Sequence, residues 1–263
     1  MSQVINTNIM SLNSQRNLNK SQSALSTSLE RLSSGLRINS AMDDAAGLAV
    51  AQKMESQIRG MTVAQRNASD GISYAQTADT ALSTVTDQLQ RMRELATQSL
   101  NGTISDSERS KINEEFSALQ SEASRIQTAA KINDQPVFGS FTFQVGANAG
   151  DTITGTFNSI NISGANVSTT GGASAALAQI DSWLGDAATN RAQIGGIQSR
   201  LTFTVSYLEG AVENQTAAKS RIMDADFASE TASMTRAQIL QQAGVAMVSQ
   251  ANSVPQNVLS LIR

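Results

Sequence analysis

Residues 51–96 read AQKMESQIRGMTVAQRNASDGISYAQTADTALSTVTDQLQRMRELA, and the spacing of their apolar side chains decides the fold. Met54, Met61, Ala68, Ala75, Leu82, Leu89 and Ala96 fall seven apart without a break. They are flanked first by Ala51, Ile58, Gln65 and Ile72, then by Ala78, Val85 and Met92. Such a repeat returns to one face of an α-helix every two turns, so the stretch predicts a single helix of coiled-coil length. A second stripe, Ile112, Phe116, Leu119, Ala123, Ile126 and Ala130, steps by four and three in alternation. A third keeps the same steps through Leu177, Ile180, Leu184, Ala187, Arg191, Ile194, Gln198, Leu201, Val205, Leu208 and Val212. The expected fold is mainly α, with long coiled-coil-like helices packed side by side in a bundle.

Punctuation residues set the boundaries. Asn101 and Gly102 stop the first long helix, and Ser105 with Glu108 three residues on forms a capping box for the next. Upstream, Gly35 interrupts a stripe of Leu18, Leu25, Leu29 and Leu32, after which Ser40 and Asp43 read as a fresh N-cap. A similar break falls near Asp224 and Asp226, before the last helix. The chain therefore divides into terminal helical segments, residues 1–40 and 226–263, and a bundle, residues 41–225. Inside the bundle the period changes: Phe141, Phe143 and Val145 alternate, GANAG supplies turn residues, and Ile153, Phe157, Ile160 and Ile162 follow. One or two β-hairpins are expected at about 137–163, ending in the loop VSTTGGAS.

Composition narrows function by exclusion. The 263 residues are 40% apolar but contain no His and no Cys, and only 4% are aromatic. A His/Cys metal site, a Ser-His-Asp triad and a thiol nucleophile are ruled out, and pockets for small molecules usually need more aromatic lining than this. The expectation is a protein that is not an enzyme and holds no cofactor or metal. The formal charge of −3, with no basic stripe interleaved with aromatics, argues against nucleic acid as partner. The N-terminal sequence lacks the basic start and apolar run of a secretory signal peptide, so export, if it occurs, is expected to use another machine.

The other end is unusual. From Ala237 through Ile262 no residue is charged, yet Leu240, Met247, Val254 and Leu261 fall seven apart, with Ala251 and Val258 between them. Gln and Asn residues interrupt the stripe too often for a membrane span. Chain ends normally fray into water. An apolar stripe flanked by uncharged amides there suits packing against identical neighbours without like-charge repulsion. The stripe is therefore expected to be an assembly surface, ordered once other subunits supply the missing burial.

The opening MSQVINTNIMSLNSQRNLNKSQSALSTSLERLSSGLRINSAMDDAAGLAVAQKM, the ending RIMDADFASETASMTRAQILQQAGVAMVSQANSVPQNVLSLIR, and GISYAQTADTAL and LQRMRELATQS between them closely resemble bacterial flagellin. The resemblance spans both halves of the chain. It implies a secreted subunit of the extracellular flagellar filament that polymerises with itself for swimming motility, the terminal helices pairing antiparallel as an inner tube. A hook-filament junction protein is the alternative. The resemblance also implies type III export with a secretion chaperone on the C-terminal helix, and hook-associated and cap proteins as further partners. The subunit interface would then include Leu18, Leu25, Leu29, Leu32, Leu240, Met247, Ala251, Val254, Val258 and Leu261. Outer domains carried by larger flagellins look absent, since only Gln135 to Ser174 intervenes between the second and third long helices. The stretch KINDQPVF departs from the Phe-Asn-Gly pattern of the family at that point. In flagellins that trigger the Toll-like flagellin receptor of animals, an arginine, a leucine and a glutamate make the main contact, and the matching residues here are Arg91, Leu95 and Glu115. On residue spacing alone, Arg91 and Glu115 make a solvated surface pair and Leu95 shares the face of Arg91.

Overall fold

The computed structural model describes residues 7–260, with side chains for 7–253. Five helices and four short strands follow in order among these residues. They are α1 (Ile9–Ser34), α2 (Ala45–Ser99), α3 (Asp106–Ala129), β1 (Lys131–Ile132), β2 (Gln135–Pro136), β3 (Gly139–Gln144), β4 (Thr152–Phe157), α4 (Thr170–Met223) and α5 (Phe227–Ser260). The fold is mainly α with small β-hairpins, and the chain forms two compact units. One is Gln57–Glu213; the other joins the described residues up to Ser56 with those from Asn214 onward.

In the unit spanning 57–213, the buried face of α2 steps by four and three through Ala64, Ala68, Gly71, Ala75, Ala78, Leu82, Val85, Leu89, Met92 and Ala96, and is widened by Ala81, Leu95 and Ser99, which are buried beside it. Side-chain size is graded along this seam, and the grading decides what packs where. At the small end the hairpin comes in close. Asn67 Nδ2 donates to Gln144 O at 3.0 Å. A Cβ on Gly71 would stand 3.2 Å from the Phe143 ring and 3.0 Å from Leu201. The Tyr74 and Phe141 rings lie 5.3 Å apart. At the large end Leu82, Leu89 and Met92 fill the core with Phe116 of α3, all fully buried. Helix α4 runs antiparallel to α2. Gln65 pairs with Glu209 (3.0 Å), Asp79 with Arg191 (2.8 Å) and Arg93 with Asp181 (2.8 Å), a rail of polar contacts on α2 beside the apolar seam.

Part of the α4 seam lies one residue away from the expected stripe. Ile180, Ala187, Ile194, Leu201 and Leu208 are buried as read, but Trp183, Asn190 and Ile197 take the places assigned to Leu184, Arg191 and Gln198. The helix must face α2 and the hairpin together, so its buried arc is wider than a two-helix seam and swings toward the strands. Asn190 Nδ2 donates to Asn158 O at 3.3 Å in that direction.

Two hairpins form between α3 and α4. Strands β3 and β4 pair antiparallel, with Phe141 opposite Gly155 and Phe143 opposite Ile153. The departure KINDQPVF makes its own hairpin of β1 and β2. Asn133 (φ 50°) and Asp134 (φ 62°) occupy the two left-handed positions of a type I′ turn, which short polar residues tolerate where glycine is usual. The stretch VSTTGGAS is not a loop to its end. Thr169 caps α4, its Oγ1 accepting from Gly172 N–H (3.1 Å) and its carbonyl from Ala173 N–H (2.8 Å), so the glycine pair lies in the first helical turn. The Ser105/Glu108 capping box forms as read.

In the other unit, Gly35 ends α1 in the left-handed conformation (φ 73°). The following backbone is stitched to the end of α4, with Arg37 N–H on Met223 O and Ala225 N–H on Gly35 O. The N-cap of α2 is Asp44 rather than Ser40: Asp44 Oδ1 accepts from Gly47 N–H at 2.8 Å. A Cβ at Gly47 would collide with that carboxylate. Ser40 and Asp43 close the preceding turn instead, Asp43 Oδ2 accepting from Ser40 N–H (2.9 Å) and Asn39 N–H (3.2 Å).

Because Leu89 is fully enclosed where α2 meets the core, Leu89→Ala is expected to lower the unfolding free energy by about 2–5 kcal/mol. Exposed Thr84→Ala should leave it within about 0.5 kcal/mol. Urea unfolding followed by circular dichroism checks both.

Candidate functional site

The terminal helices are the part of the chain whose packing is incomplete. Helices α1 and α5 pair antiparallel. Asn8 Nδ2 donates to Ala251 O (2.7 Å), Ser11 Oγ to Asn252 Oδ1 (2.7 Å), and Gln241 Nε2 to Gln22 Oε1 (2.7 Å), while Arg31 lies 3.9 Å from Glu230. Asn8 also caps α1, its Oδ1 accepting from Ser11 N–H. Most of these links are neutral.

The seam between the two helices is lined mainly by small residues. On α1 it reads Ser11, Ser14, Leu18, Ser21, Leu25, Ser28 and Leu32, stepping three and four; on α5 it includes Ser233, Ala237, Gly244, Val248 and Ala251. Gly244 lets the helices approach: a Cβ there would stand 3.1 Å from Leu18 Cδ1. The larger apolar side chains stay outside. Leu240 keeps 51% and Met247 59% of its surface exposed, Leu29 keeps 48%, and Ile9, Met10, Leu12, Ile239 and Val245 are exposed as well. Leu240 and Met247 border a groove whose other wall is Leu18 and Ser21. This inverts the usual order, in which large apolar residues are inside. Exposed apolar surface on this scale marks a place where something else binds.

The interface residues read from the sequence thus separate into two sets. Leu29, Leu240 and Met247 point outward. Leu18, Leu25 and Leu32 are half-buried and Ala251 is buried, on the faces with which α1 and α5 meet within the chain. The side chains of Val254 and Val258, and Leu261 altogether, lie outside the described residues. What the sequence reading missed is the serine half of the α1 seam, whose signal is the three-and-four spacing of Ser11, Ser14, Ser21 and Ser28 among the leucines.

One charged clasp sits at the end of the pair. Arg31 stands between the Asp43 and Glu230 carboxylates, 3.9 Å from each. Hydrogen bonds from Ser40, first from its backbone N–H and then from its hydroxyl, hold the Asp43 carboxyl below its ordinary value of 3.8, with Asn39 N–H and Arg31 adding to the effect.

In the bundle unit, Arg91 Nε and Nη2 both donate to Glu115 Oε1 (3.1 and 2.9 Å), and Nη1 donates to Glu94 (2.8 Å). The bond to Glu94, then that to Glu115, raises the arginine pKa. Leu95 does not share this exposed face. It is 1% exposed and belongs to the core, so the surface contact that the resemblance implies for it is corrected. A step of four residues rotates by about 40° around a helix, and on α2, which packs on two helices, that rotation carries Leu95 inside. Among the described residues, no cluster of three or more Asp or Glu could hold a metal ion, and no helix is long and apolar enough to cross a membrane.

A folded pKa below the ordinary value means that Asp43 contributes stability above about 3.8 and loses it as pH falls through the lower folded value. Asp43→Asn should therefore melt below wild type at neutral pH. The difference should close as pH falls through the carboxylate range, as thermal melts at a series of pH values would read.

Comparisons with known proteins bear on the same segments. The model for the bacterial flagellin N-terminal helical region matches residues 5–141, and that for the C-terminal helical region matches residues 177–262. Flagellin of Halalkalibacterium halodurans is 41% identical over 99% of this chain and all of its own length. The flagellar filament 33 kDa core protein of Treponema phagedenis is 38% identical over 99% of this chain and all of its own. Among solved structures, Bacillus cereus flagellin shares the fold with a TM-score of 0.51 at 24% identity, over 54% of this chain and 88% of that one. Relatives that match from end to end are filament proteins, and they lend no support to a hook-filament junction protein.

Proposed function

The chain belongs to the bacterial flagellin family, and from that premise we propose that its paired terminal helices are the surface through which copies join. As a flagellin it is a structural subunit rather than an enzyme: copies self-assemble into the flagellar filament, outside the cell. It is a short form, with nothing but two hairpins and a loop between α3 and α4. The observation that carries the proposal is the inverted packing of α1 and α5, small residues inside and Leu29, Leu240 and Met247 outside. Residues 1–40 and 226–263 then act as the assembly domain, the filament core, and residues 41–225 as the helical bundle domain with its hairpin. Neutral serines and amides beside the stripe let equally charged copies approach without repulsion. The same stripe is the surface a secretion chaperone would mask before passage through the flagellar export apparatus, and hook-associated and cap proteins would meet it at the filament ends.

Met247→Asp tests the assembly surface. A carboxylate closed into a dry contact costs several kcal/mol, by an estimate of about 2–7 even for a neutral polar group, whereas in the monomer the position is solvated. Seeded polymerisation followed by electron microscopy should give no filaments at concentrations where wild type polymerises, with the monomer melting curve unchanged. Normal filaments from the variant would count against the assignment.

A second reading concerns an animal host. The observation favouring it is that Arg91 and Glu115 stand together on the exposed α2–α3 ridge. We propose that this pair, without Leu95, can anchor the Toll-like flagellin receptor, the guanidinium acting as a multi-donor contact. Purified monomer should activate the receptor, and Arg91→Ala or Glu115→Ala should weaken activation by about tenfold or more. Equal potency of the variants would dismiss the reading.

A further inference from the structure

Helix α4 carries a second stripe on the face turned away from the bundle core. Gly185, Gly196, Arg200, Phe203, Tyr207 and Gly210 fall on it, within a narrow arc of the helix. Phe203 is 76% and Tyr207 72% exposed, two aromatic rings four residues apart in a protein with few aromatics. The glycines have no explanation inside the chain. A Cβ built on Gly185, Gly196 or Gly210 meets nothing within 4 Å, so alanine would fit at each. Glycine is the least favourable residue in a helix interior apart from proline, and each of these weakens α4 without improving any contact in the unit. Glycine on a helix surface has a use where another backbone must come close. Arg200 forms no ion pair among the described residues and is the one charged member of the stripe.

We infer that this stripe is a contact between neighbouring copies of the chain in the filament. Phe203 and Tyr207 serve as anchoring rings, and the glycines admit the neighbour's backbone. The inference rests on the filament reading above. A second copy is the occupant that the charges favour: the chain is acidic overall, at −3, and the stripe offers it a lone cation and no carboxylate. Helix α3 alone carries Asp106, Glu108, Glu114, Glu115 and Glu122, and Glu114 is exposed without a partner of its own. The contact is heterologous, stripe against a different surface, as an open helical polymer requires. Copies that meet this way bury the two rings that the isolated subunit leaves in water.

Tyrosine chemistry and glycine substitution test it together. Wild-type monomer and seeded polymer are treated with tetranitromethane, and nitration of Tyr207 is read by peptide mass spectrometry. Tyr74, the other tyrosine, is half-buried with its hydroxyl on Ile132 O and is scored separately. Tyr207 should react in the monomer and be protected in the polymer. Phe203→Ala and Tyr207→Ala should each raise the critical concentration for polymerisation about tenfold or more, with monomer circular dichroism unchanged. The double variant Gly196→Ala, Gly210→Ala should raise the monomer's melting temperature and yet also raise the critical concentration, opposite effects that a purely internal role cannot produce. Wild type that never polymerises would sink the filament reading and the contact with it. Wild-type filaments in which Tyr207 stays reactive would overturn the contact alone and mark the stripe as open to solvent or to a different protein. So would ring or glycine variants that polymerise at the wild-type concentration.

Discussion

The graded seam of α2 is the constraint on which the bundle depends. From Ala64 to Ala78 the buried positions are alanine and glycine, and from Leu82 to Met92 they are large. Tight packing requires the partner of each half to be complementary in volume. The small half therefore takes the bulky aromatics of the hairpin, Phe141 and Phe143 beside Tyr74, and the large half takes α3 with Phe116. Helix α4 runs antiparallel along both, with polar pairs at Gln65, Asp79 and Arg93. Those pairs stand fourteen residues apart on α2, four turns each, so they lie on one line beside the apolar seam and help to hold register without interrupting it. Being exposed or half-exposed, they add little stability. Register and burial are thus supplied by different residues of the same helix.

The terminal pair obeys the opposite rule. Its internal seam is serine, alanine and glycine with a few leucines, and its large apolar residues face out. A seam of small residues brings two helices close but removes little apolar area from water, and burial of such area is the main driving force of folding. Helices α1 and α5 can therefore find one another, yet their pairing leaves Leu29, Leu240 and Met247 in water, and on the proposed assembly surface further copies complete the burial.

Much of this was legible in the sequence, because a heptad repeat reports directly which residues share a face. The three long helices, the Ser105/Glu108 box, the stop at Gly35 and the main hairpin all follow from spacing and turn chemistry. The packing errors have one physical source: spacing gives a face but not how many neighbours press on it. Leu95 was read as exposed beside Arg91, but α2 is packed from two sides and its buried arc is wide enough to take Leu95 in. Trp183, Asn190 and Ile197 displaced their neighbours from the α4 seam for the same reason. Nor does spacing tell how Leu18 and Ala251 are shared between the pairing of α1 with α5 and contacts to other copies. Local chemistry accounts for the remaining misses. Asp44 outcompeted Ser40 as a cap because its carboxylate reaches Gly47 N–H with no Cβ in the way, and Thr169 drew two glycines into a helix start that composition alone reads as loop.

Placing large side chains inside one unit and outside the other lets a polymerising chain tune two properties separately. Substitutions in the α2 seam act on the stability of the subunit, which must hold before, during and after assembly. On the proposed assembly surface, substitutions at Leu240 or Met247 act on affinity between copies, since those side chains are already solvated in the isolated chain and lose nothing there. Sites that share no partner contribute independently, so each property can change without the other. On the contact proposed for α4, its glycines are where the two meet. Each lowers the stability of a long helix within the chain, which the deep core of Leu82, Leu89, Phe116 and Leu201 can absorb, and each leaves the outer face of that helix smooth enough for close approach. The internal seam thus carries the cost of glycines whose use, on that proposed contact, lies on the outer face.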